Sequence, residues 1–157
     1  MNGFVDAKQI TLMGIALAIG LLIGAERGWK SREAKDGERI AGLRTYGLTG
    51  LLGGGAGLLS QYLDAMVLGF IFLGFSITVA TAYTVQRNNS EDASITSLIT
   101  MLLTFILGVF ATLEHVDLAA SIAVLTAILL RYKEALHGWL KKLEKKDQKI
   151  LKQISFN

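Results

Sequence analysis

Five apolar runs without charge dominate the pattern of hydrophobic and polar positions along this chain. No Asp, Glu, Lys or Arg occurs in Gln9–Ala25, Thr45–Leu63, Ala65–Gln86, Ala93–Leu113 or Leu118–Leu130. A membrane-spanning helix needs about 20 mostly apolar residues, and a charge at the bilayer centre costs roughly 2.5–3.5 kcal/mol. The pattern therefore predicts an all-α, polytopic membrane bundle of five transmembrane helices. The middle three runs meet that length outright, and the outer two meet it if flanking charged residues lie in the interface.

Positive charge lies almost entirely on one side of the predicted bundle. Of the 16 Lys and Arg residues, only Lys8 falls on the side of the N-terminus, whereas the others lie between Arg27 and Arg44, at Arg87 and from Arg131 onward. The positive-inside rule then places the N-terminus outside and the long C-terminal tail in the cytoplasm.

Composition excludes several classes of protein. The chain has no cysteine, so it carries neither a disulfide framework nor a thiolate metal site. It shows no nucleophile motif, phosphate loop or His/Asp cluster at ligand spacing. We therefore expect no enzyme, no cofactor and no nucleic-acid partner, while any metal ligands stay unknown.

Small residues recur at helical spacing in the first two predicted helices. In the first, Gly20 and Gly24 follow Ala16 at intervals of four, and the second contains six glycines. Such stripes let helix backbones approach closely within a bilayer. The predicted packing glycines are Gly20, Gly24, Gly50, Gly53, Gly54 and Gly57. They could serve packing within the chain or a homo-oligomer, most simply a dimer, and local unwinding at 53–55 is the alternative.

Charged and polar residues meet where the first predicted helix ends and the second begins. Glu26 and Arg27 follow the first apolar run, and Arg44 and Thr45 open the second. Because antiparallel neighbours bring these ends to similar depth, we predict a functional polar cluster of these four residues. At its centre we expect a Glu26–Arg44 ion pair, which would resist truncation of either partner if buried.

Hydroxyl side chains line one face of the fourth predicted helix. This polar intramembrane face consists of Thr96, Ser97, Thr100 and Thr104. Hydrogen bonds between helices explain it without a substrate, and a polar pathway is the alternative. His115 lies between Glu114 and Asp117 in a short outer turn, where we expect solvated side chains rather than a cation or pH-sensing site.

The chain divides into a transmembrane domain, residues 1–132, and a basic amphipathic segment, residues 133–157. In the second part, Leu136, Leu140 and Leu143 recur at three- and four-residue intervals among lysines. This pattern is typical of a helix on the cytoplasmic membrane surface or against a partner helix.

Two segments resemble the MgtC/SapB family of bacterial inner-membrane proteins. They are LLIGAERGW and AGLRTYGLTGLLGG, which occur in the family's order with a short charged spacer between them. The later part resembles a subgroup that continues into further membrane helices, so we expect the chain to be the N-terminal part of a longer protein. Leu98 stands where that subgroup commonly has Glu, which removes the basis for a proton or ion role there.

Two functions follow from the resemblance and the residues together. The resemblance implies a multi-pass inner-membrane regulator of other membrane proteins, such as ATP synthase or ion transporters, in magnesium homeostasis, acid stress and virulence-associated adaptation. The alternative is a module that transports an ion or small solute through the polar cluster at the cytoplasmic mouth.

Overall fold

The computed structural model describes residues 7–30, 42–87 and 95–132, and helices occupy almost all of them. The first four helices are α1 (Ala7–Lys30), α2 (Leu43–Tyr62), α3 (Ala65–Arg87) and α4 (Ile95–Thr112). A fifth helix, α5, covers residues 116–132. Because the described part of the chain contains no strand, the predicted all-α class is confirmed. The basic segment 133–157 and most of the charged spacer between α1 and α2 lie outside the described residues.

Three helices are long and apolar enough to cross a membrane. They are Ala7–Gly28 in α1, Ala65–Val85 in α3 and Ile95–Thr112 in α4. The first run was expected to be marginal, but α1 continues through Glu26 and Arg27 and so gains length. In α2, six glycines lower the hydropathy of a helix that is otherwise long enough. The chain is therefore a membrane protein, and five spans with an outer N-terminus stay a prediction.

The core forms where α1, α2 and α4 pack against one another. Its fully buried large side chains include Ile23 from α1, Tyr46 from α2 and Phe105 and Leu107 from α4. Because α2 has glycine on the sides that face α1 and α4, it supplies little side-chain volume. The larger side chains of its neighbours fill the space.

The other two helices flank this three-helix core. From α3, Phe72 and Phe75 contact the ring of Phe105, with centroids 5.5 and 5.1 Å away. From α5, Ala119, Ala123 and Leu130 join the same core cluster as residues of α1 and α4. Both helices leave many large apolar side chains on the surface, which is the expected property of helices that face lipid.

Polar contacts fasten one end of the bundle, here called the Lys8 end. The Lys8 Nζ atom lies 2.7 Å from Glu114 Oε1, which links the start of α1 to the turn after α4. Gln61, in the last turn of α2, donates its Nε2 to the backbone oxygen of Thr112 at 3.0 Å. The N-terminus of α1 and the C-termini of α2 and α4 therefore share one end, as alternating helix directions require. The opposite end is called the Arg27 end.

Candidate functional site

Arg27 joins three helices at its end of the bundle. Its Nη2 donates a hydrogen bond to Thr100 Oγ1 in α4 at 3.3 Å. The hydroxyl of Tyr46 in α2 lies beside the same guanidinium. That hydroxyl in turn donates to the backbone oxygen of Ser97 at 3.3 Å. Arg27, Tyr46, Ser97 and Thr100 thus form one connected group, here called the Arg27 cluster.

The ring of Tyr46 lies wholly inside the protein, with 0% of the residue exposed. Burying its hydroxyl without a partner would cost free energy, and the carbonyl of Ser97 accepts its proton while the guanidinium of Arg27 lies beside it. The backbone of Tyr46 also lies against Gly20 of α1, and its Cβ lies against Gly24, where larger residues would push it away. Glycines in α1 therefore set the depth at which Tyr46 reaches α4.

The expected Glu26–Arg44 ion pair is not formed, and this part of the hypothesis is corrected. Glu26 is half-buried and Arg44 is exposed, and the part of the chain that the structure describes contains a single salt bridge, between Lys8 and Glu114. The reason is the helical rotation of about 100° per residue. Since Tyr46 faces the interior, Arg44 two positions earlier points roughly 200° away from it.

Of the four residues predicted for the polar cluster, Arg27 alone belongs to the interhelical hydrogen-bond group. Thr45 is exposed, although its backbone oxygen accepts the hydroxyl of Thr49 at 2.8 Å. Glu26 lies one position from Arg27 on the same helix and hence on another face of it. The predicted cluster lies at the depth of the Arg27 cluster. Its other three members, Glu26, Arg44 and Thr45, do not join the hydrogen-bond group, because they lie on other faces of their helices.

The hydroxyl face of α4 is bonded mainly within its own helix. Thr100 donates to the oxygen of Thr96 at 2.6 Å, and Thr104 donates to the oxygen of Thr100 at 2.7 Å. Two hydrogen bonds from this part of α4 to other helices are seen among the described residues: Thr100 accepts from Arg27, and the Ser97 carbonyl accepts from Tyr46. Threonine in an apolar helix commonly satisfies its donor in this way.

The predicted glycine stripes pack helices within the chain. Between α1 and α2, a Cβ added at Gly50 would lie 3.3 Å from the Cα of Gly20, and one at Gly54 would lie 3.0 Å from the Cβ of Ala16. A Cβ on Gly24 would come within 3.0 Å of the Cα of Leu43. These contacts bring the glycine stripes of α1 and α2 against each other within the chain.

A second seam joins α2 to α4. A Cβ added at Gly53 would lie 2.8 Å from the carbonyl carbon of Phe105, and one at Gly57 would lie 3.2 Å from the Cα of Val109. Gly108, which the sequence did not single out, completes the seam from the α4 side against the backbone of Gly50. Since α2 is continuous from Leu43 to Tyr62, the alternative of unwinding at 53–55 is not observed.

The sequence of the chain matches a family model over residues 13–139, and that model describes the MgtC family. The chain belongs to the MgtC family. The match confirms the resemblance first seen in two segments and extends it across all five helices of the described structure. No curated protein and no solved structure matches the chain.

Both family-like segments of this MgtC-family protein meet at the Arg27 end. LLIGAERGW carries Gly24 and Arg27, and AGLRTYGLTGLLGG carries Tyr46 together with the glycines that face α1 and α4. Tyr46 and the Arg27–Thr100 contact were not among the residues and contacts predicted from the sequence. The sequence did contain a signal for Tyr46, because the side chain of a large aromatic residue at the start of a glycine-rich helix must pack against a neighbouring helix.

His115 lies in the turn that follows α4 in this MgtC-family protein. It is exposed, and its ring meets that of Phe110 edge-on with centroids 6.4 Å apart. Its backbone N–H donates to the oxygen of Phe110 at 2.9 Å, and Glu114 before it has a φ of 67°. This geometry is that of a helix C-terminal cap. Among the described residues, no group of three His, Cys, Asp or Glu could hold a metal ion.

A cleft of about 250 Å³ opens beside the Arg27 cluster, between α3 and the pair α2 and α4. Its walls are mostly apolar and include Phe75 and Val79 of α3 and Met101 of α4. Thr49 and Thr78 line it as well, and Ser97 connects it to the Arg27 cluster.

Proposed function

We propose that this chain is a regulator of other membrane proteins in the bacterial inner membrane, acting in magnesium or acid-stress homeostasis. Membership of the MgtC family supports a membrane location and a role related to magnesium or stress. The observation that favours a regulator over a transporter is the close packing of α1, α2 and α4 at their glycines.

The seams leave little room for a polar path between the three core helices. At Gly53, Gly57 and Gly108, even one added methyl group would press on a neighbouring helix. A hydrated ion is larger than a methyl group, so its passage there would require the seams to part. Close packing is also costly to open, because interiors are packed like organic crystals.

A partner would therefore contact the outer faces rather than the glycine stripes. Large apolar side chains are exposed on both flanking helices: Met66, Phe70, Leu73 and Ile77 on α3, and Leu125, Ile128 and Leu129 on α5. In this proposal, ATP synthase, an ion transporter or a second copy in a dimer packs on these faces, and lipid covers them otherwise.

The second candidate, a transport module, is favoured by the Arg27 cluster. A guanidinium held by Tyr46 and Thr100 at the predicted cytoplasmic mouth could bind an anionic group of a solute. In the structure, however, these side chains use hydrogen bonds to join helices. The cluster therefore supports a structural role at least as directly as a transport role.

Purified protein in liposomes separates the two candidates. Mg²⁺ and proton flux is measured with the wild-type chain, with Arg27→Gln and with the exposed matched control Arg44→Gln. We expect the flux with each of the three proteins to equal the flux in protein-free liposomes. We also expect the activity of a partner co-purified from inner membranes to change when the chain is added back to it. Flux in wild type and Arg44→Gln that Arg27→Gln abolishes would overturn the regulator and support transport.

A further inference from the structure

The cleft beside α3 is an unassigned cavity whose chemistry suits a hydrocarbon chain. Phe75, Val79 and Met101 supply apolar walls, and the cleft lies where α3 stands away from α2 and α4. Its volume of about 250 Å³ is below the roughly 300–1,000 Å³ of pockets that enclose drug-sized ligands. It therefore fits one segment of a longer molecule better than a whole solute.

Two of the five hydroxyl side chains that line the cleft, those of Thr49 and Thr78, donate within their own helices; the other three belong to Thr45, Tyr83 and Ser97. Thr49 donates its proton to the backbone oxygen of Thr45 at 2.8 Å, and Thr78 donates to the oxygen of Gly74 at 2.9 Å. With both protons used inside their own helices, the two side chains offer no hydroxyl donor to a ligand in this geometry. At these two positions a polar solute would find no donor to replace the hydrogen bonds it loses to water, whereas an acyl chain would lose none.

Positive charge lies next to the cleft. Arg44 is exposed in the first turn of α2, one position before Thr45, which lines the cleft. It lies about 100° around the helix from Thr45, so its side chain stands at the side of the cleft rather than in its wall. That turn contains no acidic residue, and Arg44 forms no ion pair within the described residues. An anionic headgroup at this position would therefore meet an uncompensated guanidinium.

We propose that the cleft binds one acyl chain of an anionic phospholipid and that the headgroup phosphate lies at Arg44. Basic sites between membrane helices are known to hold such headgroups, and here the apolar cleft adds a place for the chain. The proposal stands independently of whether the protein regulates a partner or transports a solute.

The first test compares two substitutions on neighbouring faces of α3. Val79→Trp fills the cleft, since Val79 is buried in its wall, whereas Ile77→Trp adds the same bulk on the exposed face of that helix. Each protein is purified in mild detergent with phosphatidylglycerol or phosphatidylcholine, and retained lipid is counted by native mass spectrometry. We expect wild type and Ile77→Trp to retain one phosphatidylglycerol, and Val79→Trp to lose it. Equal retention by both variants would overturn the site.

The second test addresses the headgroup. Arg44→Gln should reduce the preference for phosphatidylglycerol over phosphatidylcholine about fivefold, the effect of one basic residue near anionic lipid. Arg131→Gln, a change at another exposed arginine, should leave the preference unchanged. Equal retention of both lipids by the wild-type protein would refute the anionic ligand.

A third measurement covers the case in which Val79→Trp fails to fold. Wild-type protein is mixed with phosphatidylglycerol that carries a photoreactive group on its acyl chain, and the adducts are mapped by peptide mass spectrometry. Adducts concentrated in α3 from Phe75 to Tyr83 and in α4 from Ser97 to Met101 support the site. Labelling spread evenly over all lipid-facing helices contradicts it.

Discussion

Gly53→Ala probes the α2–α4 seam with a single methyl group. The added Cβ would lie 2.8 Å from the carbonyl carbon of Phe105 and 3.0 Å from its Cα, and it would lie closer still to its oxygen. These are backbone atoms of a helix, so they cannot rotate away as a flexible side chain could. The two helices must separate, and overpacking of this kind costs about 1–3 kcal/mol.

Gly55→Ala is the matched control, because it places the same methyl group two positions along the same helix. A Cβ there would have no heavy atom within 4 Å. Without a clash, replacing glycine by alanine should stabilise the helix by up to about 1 kcal/mol. Gly53→Ala gains the same helix propensity, so that term cancels between the two variants. We therefore expect them to differ by about 1–3 kcal/mol in the free energy of unfolding.

The assay is equilibrium unfolding of the purified proteins in mild detergent, titrated with SDS and followed by far-ultraviolet circular dichroism. Gly53→Ala should unfold at a lower SDS fraction than wild type, and Gly55→Ala at an equal or higher one. If Gly53→Ala proved as stable as Gly55→Ala, that result would refute the close α2–α4 contact.

Three further predictions concern the two ends of the bundle. Tyr46→Phe removes a buried hydroxyl and should cost about 1–3 kcal/mol in the same assay, since its partners lose a hydrogen bond inside the protein; an unchanged midpoint would contradict the observed contacts. Glu114→Gln should change stability by no more than about 1 kcal/mol, because the side chains of Lys8 and Glu114 are 57% and 63% exposed; a markedly larger loss would show that this ion pair matters more than its exposure suggests. Since the chain has no cysteine, single cysteines introduced at Asp64 and Lys35 can report topology in intact cells. A membrane-impermeant maleimide should label the cysteine at position 64 and not the one at position 35. The reverse labelling pattern would contradict the predicted orientation.

Hydrophobic runs were sufficient to predict the class of fold, and the spacing of the glycines matches the helix faces that meet in the structure. Charge-free runs gave helix positions within a few residues, because a charge inside the bilayer is costly at any rotation of the helix. The i, i+4 spacing of Gly20/Gly24, Gly50/Gly54 and Gly53/Gly57 likewise identified faces that pack closely.

The side chains of the candidate site were harder to predict, because they depend on the rotation of each helix. Glu26 and Arg27 are adjacent in the sequence, yet only the guanidinium reaches α4. A run of apolar residues indicates where a helix lies but says little about which face its flanking charges occupy. The same limitation hid Tyr46, whose inward orientation becomes clear only beside the glycines of α1.

Hydrogen-bond partners of the threonines could not be inferred from spacing either. Thr100 and Thr104 lie on one face whether they bond to a neighbouring helix or to their own carbonyls. The structure shows that each donates within α4, and that Thr100 alone also accepts from Arg27. Thr104, which lies on the same face of α4, therefore serves as a control for substitutions of Thr100.

A double-mutant cycle on Arg27→Gln and Thr100→Val measures directly whether Arg27 joins α1 to α4. We predict a coupling free energy of about 0.5–3 kcal/mol, the usual range for residues in one hydrogen-bond network. Cycles on Arg27→Gln with Thr104→Val and on Glu26→Gln with Arg44→Gln should give smaller couplings, because neither pair forms a direct contact. Coupling between Glu26 and Arg44, with none between Arg27 and Thr100, would contradict the arrangement of the Arg27 cluster.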